Sequence, residues 1–248
     1  MHHTHSGTSS LYSAAGLRKY LTRDERERFL AASLAAPRPD VRTLCLTLAY
    51  TGCRISEALA LTTASIQAAE GIIAIRSLKK RNGLVVVREV PVPSLLVVQI
   101  ERVHTLSSLH PLQRLWPLSR GRAWQLVKEV MQTARIGVGP HASPKGLRHG
   151  FGLHAVRCGV PLNLVQRWLG HADIKTTAIY TSAVGPEERE FASRTWHFGK
   201  SRPPDSQVRR RRRSVKSAAP SLTAPADLAV ALEDLYHAAR QMFSVVGR

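Results

Sequence analysis

Apolar residues recur at helical spacing along most of the chain, and they predict a largely α-helical fold. A clear example begins after Asp40 and ends before Gly52, a residue type that commonly terminates helices. Its apolar positions follow the i, i+3, i+4, i+7, i+8 pattern of one buried helix face and are Val41, Leu44, Cys45, Leu48 and Ala49. By the same reasoning we predict helices at about 22–35, 41–51, 54–61, 94–107, 120–135, 144–158, 161–169, 174–181 and 186–198.

The pattern changes between Gly71 and Pro93, where β-rich runs replace the helical spacing. Residues 72–76 and 84–90 form two such runs, separated by Lys79-Lys80-Arg81-Asn82-Gly83. Asn-Gly between two such runs is a strong hairpin signal, so we predict a hairpin with a basic tip. The predicted fold class is therefore mainly α with a small antiparallel β-sheet or hairpin (α+β).

Composition divides the chain into four segments. We expect a disordered N-terminal arm at 1–20 and a folded domain at 21–199. Residues 200–224 contain prolines, serines and a run of five arginines, which is typical of a flexible basic linker. Residues 225–248 have an apolar stripe and are predicted to form a C-terminal amphipathic helix.

The charge balance points to a polyanionic partner. The 248 residues include 36 Lys and Arg against 17 Asp and Glu, a net charge of +19. Nucleic acid is the leading candidate, because binding cations to phosphates releases counterions, and an anionic membrane surface comes second. No apolar run approaches the roughly 18–20 residues that a membrane span needs, so no membrane insertion is expected.

The cysteines and histidines give little indication of metal or disulfide chemistry. Cys45, Cys53 and Cys158 are scattered and form no Cys-x-x-Cys pair, which favours reduced core thiols in a cytoplasmic protein. The histidines at 2, 3 and 5 lack companion ligands, so no metal site and no cofactor are predicted. His141, His149 and His154 are expected to be structural.

Five places along the chain carry side chains suited to phosphoryl transfer without a metal. Each alone is more typical of an ordinary solvated or packed residue. Together they supply guanidinium groups that bind phosphate oxygens, a tyrosine that can attack phosphorus, and a lysine or histidine that can protonate a leaving oxygen. These residues are Arg54, Lys79 or Lys80, Lys145 with Arg148 one helical turn later, His171, and Tyr180.

In their order and local context these residues resemble the catalytic domain of tyrosine recombinases, the phage-integrase family. The motifs are TGCRISEAL, the basic hairpin, PKGLRHGFG and LGHADIKTTAIY, and the resemblance covers about residues 20–198. It implies that Arg54 and Arg148 clamp the scissile phosphate while Tyr180 forms a 3′-phosphotyrosyl bond and releases a 5′-hydroxyl. It also implies that neither ATP nor metal is required.

The remaining roles follow from the same resemblance. The hairpin would supply the general acid, for which we favour Lys79 over its neighbour Lys80. His171 would hydrogen-bond the phosphate or assist the proton on Tyr180. Basic residues expected to contact DNA phosphates without sequence preference are Lys80, Arg81, Arg209, Arg210, Arg211, Arg212 and Arg213.

The chain departs from the family pattern in two respects. Lys145 occupies the position usually filled by histidine; lysine can contact a phosphate oxygen but is a poor base near neutral pH. Only about twenty residues precede the catalytic domain, where relatives usually carry a separate DNA-binding domain. The chain is thus expected to be a minimal enzyme, a truncated copy, or an enzyme whose basic C-terminal tail supplies the DNA contacts that the N-terminal domain makes in relatives.

The expected function is a site-specific DNA recombinase that integrates, excises or inverts DNA. The alternatives are a catalytically impaired DNA-binding protein with the same fold, or an enzyme that relaxes DNA like a type IB topoisomerase. The expected partners are double-stranded DNA and further copies of the chain, as a tetramer on paired sites. The expected location is the bacterial cytoplasm, in association with the nucleoid.

Overall fold

The computed structural model describes residues 10–78 and 86–181, all of which lie within residues 1–185. In chain order its elements are α1 (Arg23–Leu34), α2 (Pro39–Thr51), α3 (Ile55–Ala58), β1 (Ile66–Gln67), β2 (Ile72–Arg76), β3 (Val87–Pro91), α4 (Ser94–His104), α5 (Arg120–Thr133), α6 (Pro144–Arg157), α7 (Leu162–Leu169) and α8 (Lys175–Ala178). The predicted fold class, mainly α with a small antiparallel sheet, is confirmed.

Local signals in the sequence determine several helix ends. Thr22 and Glu25 form a capping box at α1, in which each side chain accepts a hydrogen bond from the other residue's backbone N–H. The Ser143 side chain caps α6, and Pro144 occupies its first turn. Helix α2 ends at Gly52, which adopts a left-handed φ of 60°.

The three strands form one antiparallel sheet in the order β1-β2-β3. Ile73 pairs with Val90, and Ile75 pairs with Arg88. Ile73, Ile75 and Val90 are buried in the main core, so one face of the sheet packs inward. Arg88 is also buried, with 5% of its surface exposed, which brings a charged side chain into the interior beside this apolar face. The basic tip of the hairpin, including Lys79, Lys80 and Arg81, lies outside the described residues.

Helix α2 lies at the centre of the main core and contacts α1, α4, α5 and α6. A second, smaller core cluster gathers around α6 and α7. Its buried members are Leu11, Phe151, Leu153, Ala155, Val165, Leu169 and Tyr180. We call this group the α6–α7 cluster.

The expectation that residues 10–20 belong to a disordered arm is wrong. These residues form a turn in which Ser13 N–H bonds to the Leu17 carbonyl and Lys19 N–H bonds to the Leu11 carbonyl. Leu11 is only 4% exposed because it covers apolar side chains of the α6–α7 cluster. The expectation that Cys158 is a core thiol is also wrong, because this residue is exposed. Cys45 and Cys53 are buried as expected.

Other expectations lie outside the described residues. These are the helix at 186–198, the linker at 200–224 with its arginine run, and the C-terminal helix at 225–248. Within the part of the chain that is described, no helix is long and apolar enough to span a membrane.

His154 on α6 lies in a strongly cationic environment. Burial, together with the charges of Arg26, Arg23 and Arg157, lowers its pKa to about 3. The imidazole is therefore neutral in the folded protein across the neutral range. In the unfolded chain it takes up a proton below its ordinary pKa of about 6.5.

This difference predicts acid sensitivity. Because the folded-state pKa lies below the unfolded one, the full contribution to stability is present above about pH 6.5 and is lost as the pH falls toward 3. His154→Gln should reduce the pH dependence of the unfolding free energy between pH 6.5 and 4 by up to about 1.4 kcal/mol per pH unit. Urea unfolding across this range measures it, with exposed His110→Gln as the control. Equal slopes for wild type and His154→Gln would contradict the prediction.

Candidate active site

Arg148 is buried beneath the site and joins the ends of two helices. Its Nη1 donates to the carbonyl of Gly52 at 2.8 Å, and its Nη2 donates to the carbonyl of Leu169 at 2.7 Å. These carbonyls lie at the C-termini of α2 and α7, where backbone oxygens lack helical partners and carry partial negative charge. Burial lowers the Arg148 pKa to about 10, with a further contribution from Arg54, so the group stays charged at neutral pH.

Arg54 is held at the surface by a buried carboxylate. Its Nη1 bonds to Glu57 Oε1 at 2.8 Å; 39% of the Arg54 side chain is exposed but only 2% of that of Glu57. The other carboxylate oxygen accepts from Arg88 Nη2 at 2.6 Å. Burial alone would raise the pKa of Glu57, but Arg88 and then Arg54 outweigh it and lower that pKa. Glu57 therefore carries a charge shared by two arginines, and Arg54 keeps N–H groups directed to solvent.

Tyr180 follows α8 and is fully buried in the α6–α7 cluster. Its hydroxyl lies 3.1 Å from Nδ1 of His149. The aromatic ring packs directly over Gly152, because a Cβ built on that glycine would lie 2.6 Å from two ring carbons. Burial raises the pKa of Tyr180 to about 12, while the charges of Arg148 and Arg54 act in the opposite direction.

His171 lies just after Gly170, which ends α7 with a left-handed φ of 67°. Its Nδ1 is 2.9 Å from the Thr177 hydroxyl, and its ring stacks on Tyr180 with centroids 6.3 Å apart and an interplanar angle of 18°. Burial lowers its pKa to about 3, with contributions from Arg148 and then Arg54. The imidazole is therefore neutral at neutral pH, and the charges of both arginines act on it.

The structure brings four of the predicted site residues together: Arg54, Arg148, His171 and Tyr180. Lys145 lies in the first turn of α6 with an exposed side chain, one turn before Arg148. The hairpin lysines and the Arg209–Arg213 run lie outside the described residues. Among residues 10–78 and 86–181 no group of three or more His, Cys, Asp or Glu side chains could hold a metal ion.

Sequence reasoning did not identify three residues that contact the site. Glu57 follows Arg54 by three positions, a spacing that predicts an ion pair on a helix. Arg88 stands two residues before the buried Val90, so strand alternation indicates that it points inward. His149 was expected to be structural, and no local pattern indicates its contact with Tyr180, which is 31 residues away.

This chain has a mainly α-helical domain with a small antiparallel sheet, in which Arg54, Arg148, His171 and Tyr180 lie close together. It belongs to the phage integrase family, whose model matches residues 19–184. The tyrosine recombinase XerD of Neisseria meningitidis serogroup B is 35% identical over 172 residues, covering 62% of this chain and 56% of XerD. The tyrosine recombinase XerA of Thermococcus kodakarensis is 32% identical over 176 residues, covering 68% and 59%.

Solved structures agree with this assignment. The crystal structure of XerA recombinase matches with a TM-score of 0.58 and 26% identity, covering 71% of this chain and 64% of that one. The catalytic domain of bacteriophage HP1 integrase matches in fold with a TM-score of 0.53 and 22% identity, covering 71% and 93%. The chain spans a little over half the length of the curated relatives that it matches.

The close packing of Gly152 against Tyr180 gives a direct test of the tyrosine's position. Gly152→Ala should destabilise the protein by about 1–3 kcal/mol, because the new methyl group must displace the ring. In a Tyr180→Ala background the same change should cost much less. Urea unfolding of the four variants measures this coupling. Gly121→Ala on α5, where a Cβ meets nothing within 4 Å, is the matched control. An equal cost in both backgrounds would contradict the observed packing.

Proposed function

We propose that this chain is the catalytic part of a site-specific DNA recombinase that cuts and rejoins DNA through a 3′-phosphotyrosyl intermediate. The observation that carries the proposal is the position of Tyr180, whose hydroxyl contacts His149, the residue that follows the buried Arg148 on α6. Both Arg148 and Arg54 act electrostatically on the Tyr180 hydroxyl. The relatives named tyrosine recombinase support the same function.

The two arginines supply the positive charge that the reaction needs. Arg148 bonds to backbone carbonyls and, among the described residues, forms no ion pair that a phosphodiester would have to displace. Arg54 shares its carboxylate with Arg88 and presents its remaining N–H groups outward. Together they would bind the non-bridging oxygens and stabilise the pentacoordinate transition state. Lys145, exposed one turn before Arg148, would add a third phosphate contact.

The chemical step transfers the phosphoryl group from one oxygen to another. Tyr180 gives up its hydroxyl proton to a base in the site, and its Oη forms a bond to phosphorus. The bond from phosphorus to the 5′ oxygen breaks, and that oxygen leaves as a 5′-hydroxyl after taking a proton from Lys79, or from Lys80. The phosphotyrosyl linkage retains the energy of the broken bond, so rejoining needs no ATP, and the cationic side chains make a metal unnecessary. His171 would hydrogen-bond the phosphate.

The wider partners follow from the charge and the reaction. We propose double-stranded DNA as the substrate. Lys80, Arg81 and the Arg209–Arg213 run would contact its phosphates and add affinity that does not depend on the base sequence. Exchange between two duplexes requires several protomers, so a tetramer on paired sites is proposed, acting in the bacterial cytoplasm. Because the Tyr180 hydroxyl is buried, the site must open before a phosphate reaches it.

Removing one oxygen atom tests the nucleophile. Tyr180→Phe should bind DNA like wild type and form no covalent adduct, because only the attacking hydroxyl is lost. Supercoiled plasmid is incubated with the protein, and SDS-resistant adduct, relaxed DNA and recombinant product are measured. Exposed Tyr12→Phe is the control.

A 3′ adduct with Tyr180→Phe would show that another residue is the nucleophile. Relaxation without recombinant product would favour a topoisomerase-like enzyme. If the wild type binds DNA but forms no adduct, the result would favour a catalytically impaired DNA-binding protein.

A sulfur substitution identifies the general acid. Replacing the bridging 5′ oxygen at the cleavage site by sulfur creates a leaving group that needs no proton. The sulfur substrate should therefore restore cleavage by Lys79→Ala to near the wild-type rate, and should leave Arg148→Ala defective by about 10²–10³. Single-turnover cleavage of both substrates measures this. Restoration confined to Lys80→Ala would assign the role to that neighbour.

A further inference from the structure

The proposed reaction requires a proton acceptor for Tyr180, and the position expected to provide one holds Lys145. A lysine is protonated near neutral pH and cannot accept a proton. Its side chain is also exposed on the first turn of α6, whereas the Tyr180 hydroxyl is buried. His171 is close, but its ring stacks on the face of the tyrosine ring and its Nδ1 is engaged by the Thr177 hydroxyl.

His149 has the geometry that these two residues lack. Its Nδ1 is 3.1 Å from the Tyr180 hydroxyl oxygen, which is hydrogen-bonding distance to the atom that reacts. Its other nitrogen, Nε2, is buried and has no hydrogen-bond partner within the described structure. With the ring proton on Nε2, Nδ1 has a free lone pair directed at the hydroxyl.

The surroundings of His149 keep its imidazole unprotonated, although they also make it a weaker base. Burial, together with the charges of Lys145, Arg148 and Lys19, lowers its pKa to about 4. The imidazole is therefore neutral at physiological pH. An imidazolium formed there is unstable, so it returns its proton readily when the reaction reverses.

We propose that His149 is the general base that accepts the Tyr180 proton as the hydroxyl attacks phosphorus. This proposal rests on the proposed function and assigns a catalytic residue within it. As the bond from Oη to phosphorus forms, the hydroxyl proton passes to Nδ1 and the 5′ oxygen leaves with a proton from the hairpin lysine. In rejoining, the 5′-hydroxyl returns its proton to that lysine, and His149 returns its proton to the departing Tyr180 oxygen.

Helix α6 explains how this base stays aligned with the phosphate. His149 directly follows Arg148, whose guanidinium is fixed by two backbone carbonyls. Gly152, one helical turn after His149, packs against the Tyr180 ring. The phosphate ligand, the base and the support of the nucleophile thus lie on one rigid element, so a phosphate that reaches Arg148 arrives close to the hydroxyl and its acceptor.

Two substitutions separate proton acceptance from hydrogen bonding. His149→Ala removes both, while His149→Asn places an amide oxygen near the Nδ1 position and can accept a hydrogen bond but not a proton. Single-turnover adduct formation on a suicide DNA substrate should fall about 10²–10⁴-fold in both variants. DNA binding and thermal unfolding check that each variant is folded. Wild-type activity in His149→Asn would overturn the proposal, since a hydrogen bond would then suffice.

A more acidic nucleophile provides an independent test. It should change the size of the His149→Ala defect only if His149 accepts the proton, and not if its role is merely structural. Difluorotyrosine at position 180 needs less help to lose its proton, so the defect of His149→Ala should shrink to about tenfold or less. The defect of Arg148→Ala should not shrink, because phosphate binding is unaffected. An unchanged His149→Ala defect would overturn the proposal. If the wild type forms no adduct, the proposed function fails; if the wild type forms adduct and Tyr180→Phe does not, while His149→Ala cleaves normally, the base assignment alone fails.

Discussion

The buried guanidinium of Arg148 is the constraint on which the rest of the site depends. A charge this deeply buried is costly unless it is compensated, and the structure compensates it with the C-terminal carbonyls of α2 and α7. Gly52 and Leu169 lie 117 residues apart in the chain and immediately precede the segments that carry Arg54 and His171. One side chain therefore fixes the spacing of two other site residues while keeping its own positive charge for a phosphate.

A second buried arginine strengthens the same junction. Arg88 donates from Nε to the carbonyl of Trp168, so consecutive carbonyls at the end of α7 are each held by an arginine. Its other bond, to Glu57, links β3 to the carboxylate that positions Arg54. A Cβ on Gly170 would lie 3.0 Å from Arg88 Nη1, and the left-handed backbone there also favours glycine. The glycine after α7 thus reflects both its left-handed backbone and the close approach of Arg88 to this helix end.

Most of the fold could be predicted from the sequence because its determinants are local. The capping box at Thr22, the helix end at Gly52 and the β-hairpin depend on neighbouring residues, and the structure has each of them. Of the site, Arg54, Arg148, His171 and Tyr180 were predicted through their motifs, and the structure brings them together. The burial of Leu11 and the contacts of His149 and Arg88 depend on side chains 31 to 80 or more residues away, and no local pattern encodes such packing.

The electrostatics of the site explain why Tyr180, as the proposed nucleophile, needs an explicit base. Burial raises the pKa of Tyr180, and in the free protein the charges of Arg148 and Arg54 partly oppose that effect. When a phosphodiester binds, its negative charge is neutralised by the same two arginines, so less of their field remains to stabilise a phenolate. Substrate binding therefore weakens the electrostatic help that the hydroxyl receives in its absence. A neutral acceptor in contact with the hydroxyl, as His149 is here, avoids this conflict because it removes the proton without competing for the phosphate.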